Sequence, residues 1–532
     1  MLADARNLAR FTAGLGPYLR EAPSLAASRR RIDEQLRQRE ARFLAVLERG
    51  VFARPESPYL WLFRQAGVAR EDVVELVRRE GLEPALGRLH DAGVRLSAAE
   101  FKGRVPLERG GRSRRVRHPD FDNPLLARAY VARTGGSRSA GTRAVVDLDL
   151  LAHDAAHHAL SEAALDIGER PRAQWRPVPP AYAGLHIALR AARNGRLLTR
   201  WFAHHPVAWR AGSVRSALLT ELVLRASRLH GRPIPRPEHV PLPEAATVAL
   251  WLAECTRAGA PALLDAPVSS AVRVCLAAAE RGLDVAGTAF RVGGEPLTLA
   301  KVRVISSAGA RALPCYSLTE LGNIGMPCTR PSALDEVHLL TDKIAVLQRE
   351  RPVGTAGASV PALVVTTLLP ASPKLMLNVD IDDYGVFAEG DCGCPLHALG
   401  LTLRLHGVRS HEKLTSEGMT FGGEGVLRLV DEVLPALFGG HAADYQLVEE
   451  EEGGLSRVTV VVSPRVGAVD EGAVATAVLE ALAAHTAGWR MAAAQWRDGE
   501  TLRVVRREPE ATGAGKILPL HVPRATRRST ES

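Results

Sequence analysis

Four short patches between residues 293 and 517 carry residue types suited to nucleotide chemistry. In order they are Gly293-Gly294-Glu295-Pro296, Tyr316-Ser317-Leu318-Thr319-Glu320, Asp383-Tyr384-Gly385 and Gly515-Lys516-Ile517. Glycines permit tight turns that bring bare backbone against a flat ligand. An aromatic ring such as Tyr316 can stack on a purine, and the Thr319 hydroxyl can reach a phosphate. A carboxylate such as Glu320 can hold Mg2+ through one or two oxygens. Asp383 adds a second carboxylate, suited to ribose hydroxyls, and Lys516 a late cation. Singly, each patch also reads as a turn or a strand end. Together they are the equipment for making a carboxylic acid react with the α-phosphate of ATP.

Two further groups could carry chemistry. The segment from Arg133 to Arg143 is rich in glycine and hydroxyls, and Ser137, Ser139, Gly141 and Thr142 could present donors to a phosphate. Gly136 and Gly141 have the spacing of a triphosphatase P-loop, but Thr142 stands where its lysine belongs, so that reading fails. A surface loop is the plain alternative. Four of the six cysteines fall in one 80-residue window. Cys328, His338, Cys392 and Cys394 offer the ligand types of a tetrahedral zinc site, although C-x9-H with C-x-C is not a zinc-finger spacing; reduced thiols in a loop are the alternative. Cys255 and Cys275 sit in helical patterns and read as small core residues. His204 and His205, before Pro206, read first as core or surface residues and second as substrate-pocket residues.

The patches, taken in order, resemble the core motifs of the adenylate-forming superfamily, and the phenylacetate–coenzyme A ligase branch in particular. Pro58-Tyr59, Leu62-Phe63 and Ala66-Gly67-Val68 are similar to that branch's N-terminal helical segment. Residues 376–385 look like its strand that ends in the ribose-binding aspartate. The resemblance spans roughly 45–520. It implies that Tyr316 stacks near adenine while the 293–295 backbone lines it. Thr319 would touch phosphate, Glu320 would bind Mg2+ and Asp383 the ribose. Arg409 matches a hinge-proximal arginine, and Lys516 matches the lysine that reaches over the site during adenylation. The branch includes members with a zinc held by cysteines and a histidine at equivalent places, which makes Cys328, His338, Cys392 and Cys394 an expected structural Zn2+ site. Three features depart from the family pattern. The 134–143 loop is lengthened and contains Arg138; Asp380-Ile381 replaces the arginine-threonine before the ribose aspartate, leaving an acidic Asp380/Asp382/Asp383 cluster; and Ser410-His411-Glu412-Lys413 replaces an aspartate pair.

The implied activity is ATP-dependent conversion of an aryl or fatty acid to an acyl-adenylate, then transfer to a thiol. Coenzyme A is the expected acceptor, with a carrier-protein thiol or an amine left open. A non-catalytic nucleotide- or partner-binding relative that keeps the fold is the alternative. Which acid is used has no motif to report it.

The elements that must position these residues follow from length and pattern. At 532 residues the chain exceeds one core, so at least two domains are expected. The expectation is a large mixed α/β domain over 1–408, a small mobile α+β lid over 409–521 and a disordered tail over 522–532. Residues 1–50 read as helical, as do 71–79 and 269–280; 103–124 reads as loop. Residues 302–304 and 362–369 read as strands. In the second domain, 449–454 reads as an acidic turn, 458–463 and 502–506 as strands, and 470–486 as a helix capped by Asp470.

Composition excludes other classes. A hydrophobic content of 46% and a charged content of 24% suit a soluble globular protein, and no apolar stretch reaches the roughly 20 residues of a bilayer span. No secretory signal is evident, so the cytoplasm is expected. The net charge of +9 is mostly arginine spread along a chain with only six lysines and 5% aromatics. Nothing there interleaves bases with stacking rings, so nucleic acid is not an expected partner. The run 112–117 reads as a solvated loop. A homodimer is left open.

Overall fold

A computed structural model describes residues 2–20, 22–126, 129–133, 143–179, 181–207, 214–353, 358–410, 413–416, 419–422, 426, 428–484, 487–510 and 520–521. The central feature is a six-stranded, all-parallel sheet. Its spatial order is Arg311–Pro314, Ala289–Val292, Leu263–Ala266, Arg172–Trp175, Arg200–Ala203, Pro237–His239. The first strand in sequence, Arg172–Trp175, lies in the middle, and the chain builds outward from it in both directions. Such a doubly wound order leaves a crevice at the carboxyl ends of the two strands where the order reverses, here Arg172–Trp175 and Leu263–Ala266. The four inner strands are short and almost wholly buried, as parallel strands covered by helices must be, whereas the edge strands Arg311–Pro314 and Pro237–His239 are partly exposed.

A seven-stranded antiparallel sheet packs beside it, ordered Tyr316–Leu318, Gly322–Pro327, Val337–Leu339, Arg404–Ser410, Val379–Ala388, Ala358–Thr367, Ile344–Val353. Its inner face packs on the N-terminal helices Arg39–Leu47, Pro58–Ala66, Arg70–Glu80 and Leu82–Asp91. Pro58–Ala66 starts with proline at its first turn and stops at Gly67, which has φ +66°. The chain crosses from the parallel to the antiparallel sheet at one residue, Cys315, between the strands Arg311–Pro314 and Tyr316–Leu318.

The C-terminal unit is a four-stranded sheet ordered Leu502–Arg506, Leu455–Val462, Tyr445–Glu452, Leu520–His521, with helices Glu471–Ala483 and Ala487–Asp498. It touches the main body through polar contacts. Thr298 Oγ1 donates to Glu451 at 2.7 and 2.6 Å, Lys301 Nζ to Ser456 Oγ at 3.1 Å, and Arg273 Nη2 to the Gly499 carbonyl at 2.7 Å.

Several expectations are corrected. Residues 302–304 are not a strand but the middle of the helix Leu299–Ser307, begun by Thr298, whose hydroxyl accepts from Lys301 N. The β-branched Val302 and Val304 suggested a strand, but the buried pair is Lys301 and Ile305, one helical turn apart. Residues 449–452 are not a turn; they complete the strand Tyr445–Glu452, and the turn is Gly453-Gly454 alone, with φ +58° and +79°. Two consecutive positive φ values suit a two-residue hairpin, and the acidic run lies on its exposed end. The helix Ala487–Asp498 has no counterpart in the sequence reading. Within 103–124, Leu107–Arg109 and Arg112–Arg114 form a small hairpin. Asp470 does cap its helix, accepting from Gly472 N at 2.9 Å. Residues 522–532 lie outside the described residues. No helix among the described residues is long and apolar enough to cross a membrane.

Candidate functional site

The motifs converge where the two sheets meet. Gly293 follows the strand Ala289–Val292 directly, and a Cβ placed on it would stand 2.6 Å from the Cys315 carbonyl. Glycine is therefore required for the two strand ends to run this close. Gly294 has φ +86° and turns the chain away. Glu295 points inward: it accepts from Ser269 Oγ at 2.7 Å and from Ser269 N at 3.3 Å, and Lys301 Nζ lies 3.6 Å away. The side chain anchors the loop, leaving the 293–294 backbone at the crevice mouth.

Tyr316 lies just past the crossing, and its hydroxyl donates to Asp383 Oδ2 at 2.7 Å. Residues expected to face adenine and ribose are thus in direct contact. Burial, Asp383 and Glu320 together push the Tyr316 phenol well above its ordinary value, so it remains a proton donor. Thr319 and Glu320 form the turn between Tyr316–Leu318 and Gly322–Pro327. Lys374 N donates to the Glu320 carbonyl at 3.2 Å, and Lys374 Nζ binds the His118 carbonyl and Asp122. Burial and Lys374 push the His118 imidazole down to about 4, against a smaller opposing pull from Glu320. The Glu320 carboxylate has no hydrogen-bond donor among the described residues, which suits a metal ligand.

Asp383 lies inside its strand, Val379–Ala388, rather than at its end. Asp382 has φ +63° and the pairing slips after Tyr384, so Asp383 turns out of the alternation that would otherwise govern it. Asp380 and Asp382 do not join it in an acidic cluster. Arg351 Nη1 lies 3.2 Å from Asp380 Oδ2 and 3.0 Å from Asp382 Oδ1, and Lys102 Nζ is 3.5 Å from Asp382. These cations pair with two of the three carboxylates of the acidic stretch. Arg409 lies within the strand Arg404–Ser410, opposite Tyr384, and pairs with Asp335 at 3.4 Å. Ser137, Ser139, Gly141, Thr142 and Lys516 lie outside the described residues.

Cys328, His338, Cys392 and Cys394 come together from three separate segments, with ligand atoms all within 4.8 Å of one another. His338 Nε2 is 3.0 Å from Cys394 Sγ and 3.6 Å from Cys392 Sγ. The edge of a tetrahedron with Zn–S of roughly 2.3 Å and Zn–N of roughly 2.0 Å is about 3.5 Å, so the set has the right size. His338 Nδ1 is 2.6 Å from the Leu401 carbonyl, which can only accept. That fixes the proton on Nδ1 and leaves the Nε2 lone pair facing the thiols. Nearby, Arg404 Nη1 pairs with buried Glu336 at 2.7 Å and Nη2 holds the Gly390 carbonyl at 2.8 Å, tying the loop before Cys392 to the sheet. The residues fit a closed, structural metal centre.

No family model and no curated protein matches the chain. Solved structures do. A 2-hydroxyisobutyryl-CoA ligase, bound to 2-HIB-AMP and CoA in its thioesterification state, matches with TM-score 0.53 and 16% identity, over 95% of this chain and 92% of that one. This chain has the fold of an adenylate-forming ligase. The same ligase in its postadenylation state matches with TM-score 0.43 and 15% identity over 96% and 92% of the two chains. The amide bond synthetase McbA from Marinactinospora thermotolerans matches with TM-score 0.39 and 15% identity over 82% and 77%. At those scores the last two add nothing to the fold assignment, and identities this low speak to fold alone.

The sequence reading missed Lys301, Lys374, Arg176 and Arg190. A signal existed for the lysines: in a chain with only six, Lys301, Lys343 and Lys374 are all buried and all hold carbonyls or carboxylates. For the arginines there was none, because arginine is everywhere in this composition.

Proposed function

We propose that the protein activates a carboxylic acid with ATP, forming an acyl-adenylate and pyrophosphate, and passes the acyl group to a thiol, with coenzyme A the favoured acceptor. The observation that carries this reading is the Tyr316–Asp383 hydrogen bond beside the bare Gly293-Gly294 turn. It brings a ring, a carboxylate and free backbone together beyond the carboxyl ends of strands of a doubly wound sheet, the side on which such sheets bind ligands. Glu320, in the turn after Tyr316–Leu318, would hold Mg2+ against the phosphates, and Thr319 would donate to them. Catalysis of this kind is chiefly stabilisation of charge on phosphoryl oxygens, which Mg2+ supplies when bound and which Lys516 would share. The acid's carboxylate oxygen attacks the α-phosphorus as the bond to pyrophosphate breaks; the thiol sulfur later displaces AMP from the acyl carbon. Membership of the phenylacetate–coenzyme A ligase branch remains part of this proposal, supported by the order of the motifs and the cysteine–histidine set.

The pairing of Asp380 and Asp382 with Arg351 and Lys102 weakens one of the two features, the acidic cluster and the altered hinge, that favour a non-catalytic relative. The test is acid-dependent pyrophosphate release by the full chain with ATP and Mg2+. Release that requires a carboxylic acid supports the reading; none with any acid across aryl, fatty and dicarboxylic panels refutes it.

A further inference from the structure

The face of the parallel sheet covered by the helix Leu148–Ala164 carries a polar row that the nucleotide motifs do not use. Gln174 is the register partner of Asp265, and Asp265 of Arg291, on three adjacent strands. Arg291 binds both oxygens of Asp265 at 2.7 Å and Glu162 Oε1 at 2.7 Å; Arg172 closes on Glu162 at 3.1 Å. Two guanidiniums face two carboxylates, and Lys343 takes Asp154 at 2.5 Å. Those charges balance.

Two cations are left over. Arg190, on the helix Ala183–Arg193, has a side chain only 13% exposed. Among the described residues its one ion-pair partner within 4 Å, Asp154 at 3.9 Å, is already held by Lys343, and its guanidinium makes no hydrogen bond to a described residue. Arg176 follows the strand Arg172–Trp175; its Nη2 donates to the Ala266 carbonyl at 2.7 Å, and its Nε is enclosed without a partner. Both guanidiniums act electrostatically on Asp265 and Cys315.

Neutral groups beside them are also unsatisfied. Gln174 is 0% exposed, and neither its amide nitrogen nor its oxygen has a partner. His158 is 4% exposed with Nε2 unpartnered, and His186, one turn before Arg190, has an enclosed and unpartnered Nε2. Burial and Arg190 push His186 down to about 4, so it adds no charge at neutral pH.

Asp154 Oδ2 is 3.4 Å from Asn323 N and would be 3.1 Å from a Cβ on Gly322, so Arg190 lies behind the turn that carries Thr319 and Glu320. Arg176 lies at the strand-order reversal, within electrostatic reach of Glu295. The two cations thus lie near the turn that carries Glu320 and at the strand-order reversal, where sheets of this kind bind ligands. An apolar acyl chain there would leave buried donors and cations unpaired, at a cost no hydrophobic contact offsets. A carboxylate offers about four acceptor sites and matches the guanidinium fork.

Resting on the adenylation reading, we infer that the acid substrate is a dicarboxylic acid, its second carboxylate held by Arg190 and Arg176 with Gln174 and the buried histidines completing the polar pocket. Aryl and fatty acids, the classes expected from the sequence, fit this pocket poorly.

The test compares succinate, glutarate and adipate with butyrate, pentanoate, hexanoate and phenylacetate in acid-dependent pyrophosphate release, for the wild-type chain and Arg190→Met. The expected result is a preference of about 10²-fold or more in kcat/KM for a diacid over its length-matched monoacid, abolished in Arg190→Met while KM for ATP changes less than about twofold. Equal use of monoacids or phenylacetate overturns the inference. So does a preference that survives Arg190→Met, which would mean that buried water alone satisfies these groups, or a loss confined to ATP affinity, which would make Arg190 a phosphate ligand. Thermal shift with each diacid alone separates the two readings. Stabilisation by a diacid that Arg190→Met removes, without pyrophosphate release from any acid, sustains the pocket and refutes adenylation.

Discussion

Replacing Arg291 with methionine tests the polar layer under the parallel sheet. Arg291 donates twice to Asp265 and once to Glu162, all at 2.7 Å, with side chains 7%, 4% and 5% exposed. Glu162 keeps Arg172 in the variant, whereas Asp265 loses its bidentate partner. Removing one member of such a buried pair typically costs about 3–5 kcal/mol, because a charge is left uncompensated. With an unfolding entropy of about 2.1 cal/mol/K per residue, a body of roughly 400 residues shifts by about 1 °C per kcal/mol, so the unfolding midpoint drops by about 3–6 °C. Adding Asp265→Asn removes the orphaned charge, so Arg291→Met with Asp265→Asn should be more stable than Arg291→Met alone. The effect has a pH signature. Burial opposes ionisation of Asp265, but Arg291 outweighs it and holds the carboxyl below its ordinary range; Glu162 is held low in the same way by Arg291 and Arg172. Groups with depressed pKa stabilise the fold above their unfolded values, and that contribution disappears as pH falls through the folded ones. The gap between wild type and Arg291→Met should therefore narrow below about pH 4. Thermal melts followed by circular dichroism across pH 3–8 give the readout. A single variant as stable as wild type, or a double variant no better than the single, refutes the account of this layer.

Three other outcomes are expected. Glu320→Gln should raise the Mg2+ requirement for pyrophosphate release without weakening acid binding, whereas Asp383→Asn should weaken ATP with little change in Mg2+ dependence; Mg2+ titrations at saturating acid would expose an exchange of these roles. The purified chain should carry about one zinc, and Cys392→Ser with Cys394→Ser should lose the metal and lower thermal stability more than it alters acid choice; elemental analysis finding none in protein kept from chelators contradicts this. Lys516→Ala should cut adenylation by roughly 10²–10³-fold with the fold intact, and an unchanged rate would remove that lysine from the chemistry.

Much of this site was legible because its chemistry is local in sequence. A glycine pair, a Tyr-to-Glu segment and an Asp-Tyr-Gly segment announce themselves within a few residues. The cysteine–histidine set was legible as ligand types but not as geometry, since a strand end, a neighbouring strand and the loop before Pro395–Ala398 bring it together. Pattern failed where tertiary context decided. Val302 and Val304 look like strand residues, but Thr298 begins a helix in which Lys301 and Ile305 are the buried positions. The acidic look of residues 380–383 hid a separation in space, because Arg351 and Lys102 hold two of the carboxylates and a positive φ at Asp382 redirects the third. Arg176, Arg190 and Gln174 could not be found from sequence. They matter only because the strand order reverses beside Gln174, and strand order is a property of the assembled sheet.

The most direct test of the central claim follows an atom. With a carboxylic acid that supports turnover, supplied with 18O in its carboxylate, attack on the α-phosphorus and later loss of the acyl group must leave one labelled oxygen in AMP. The account predicts AMP carrying a single 18O after one turnover, read by mass spectrometry, together with unlabelled pyrophosphate. Unlabelled AMP, or ADP and labelled inorganic phosphate in its place, contradicts adenylate formation and with it the function proposed for this chain.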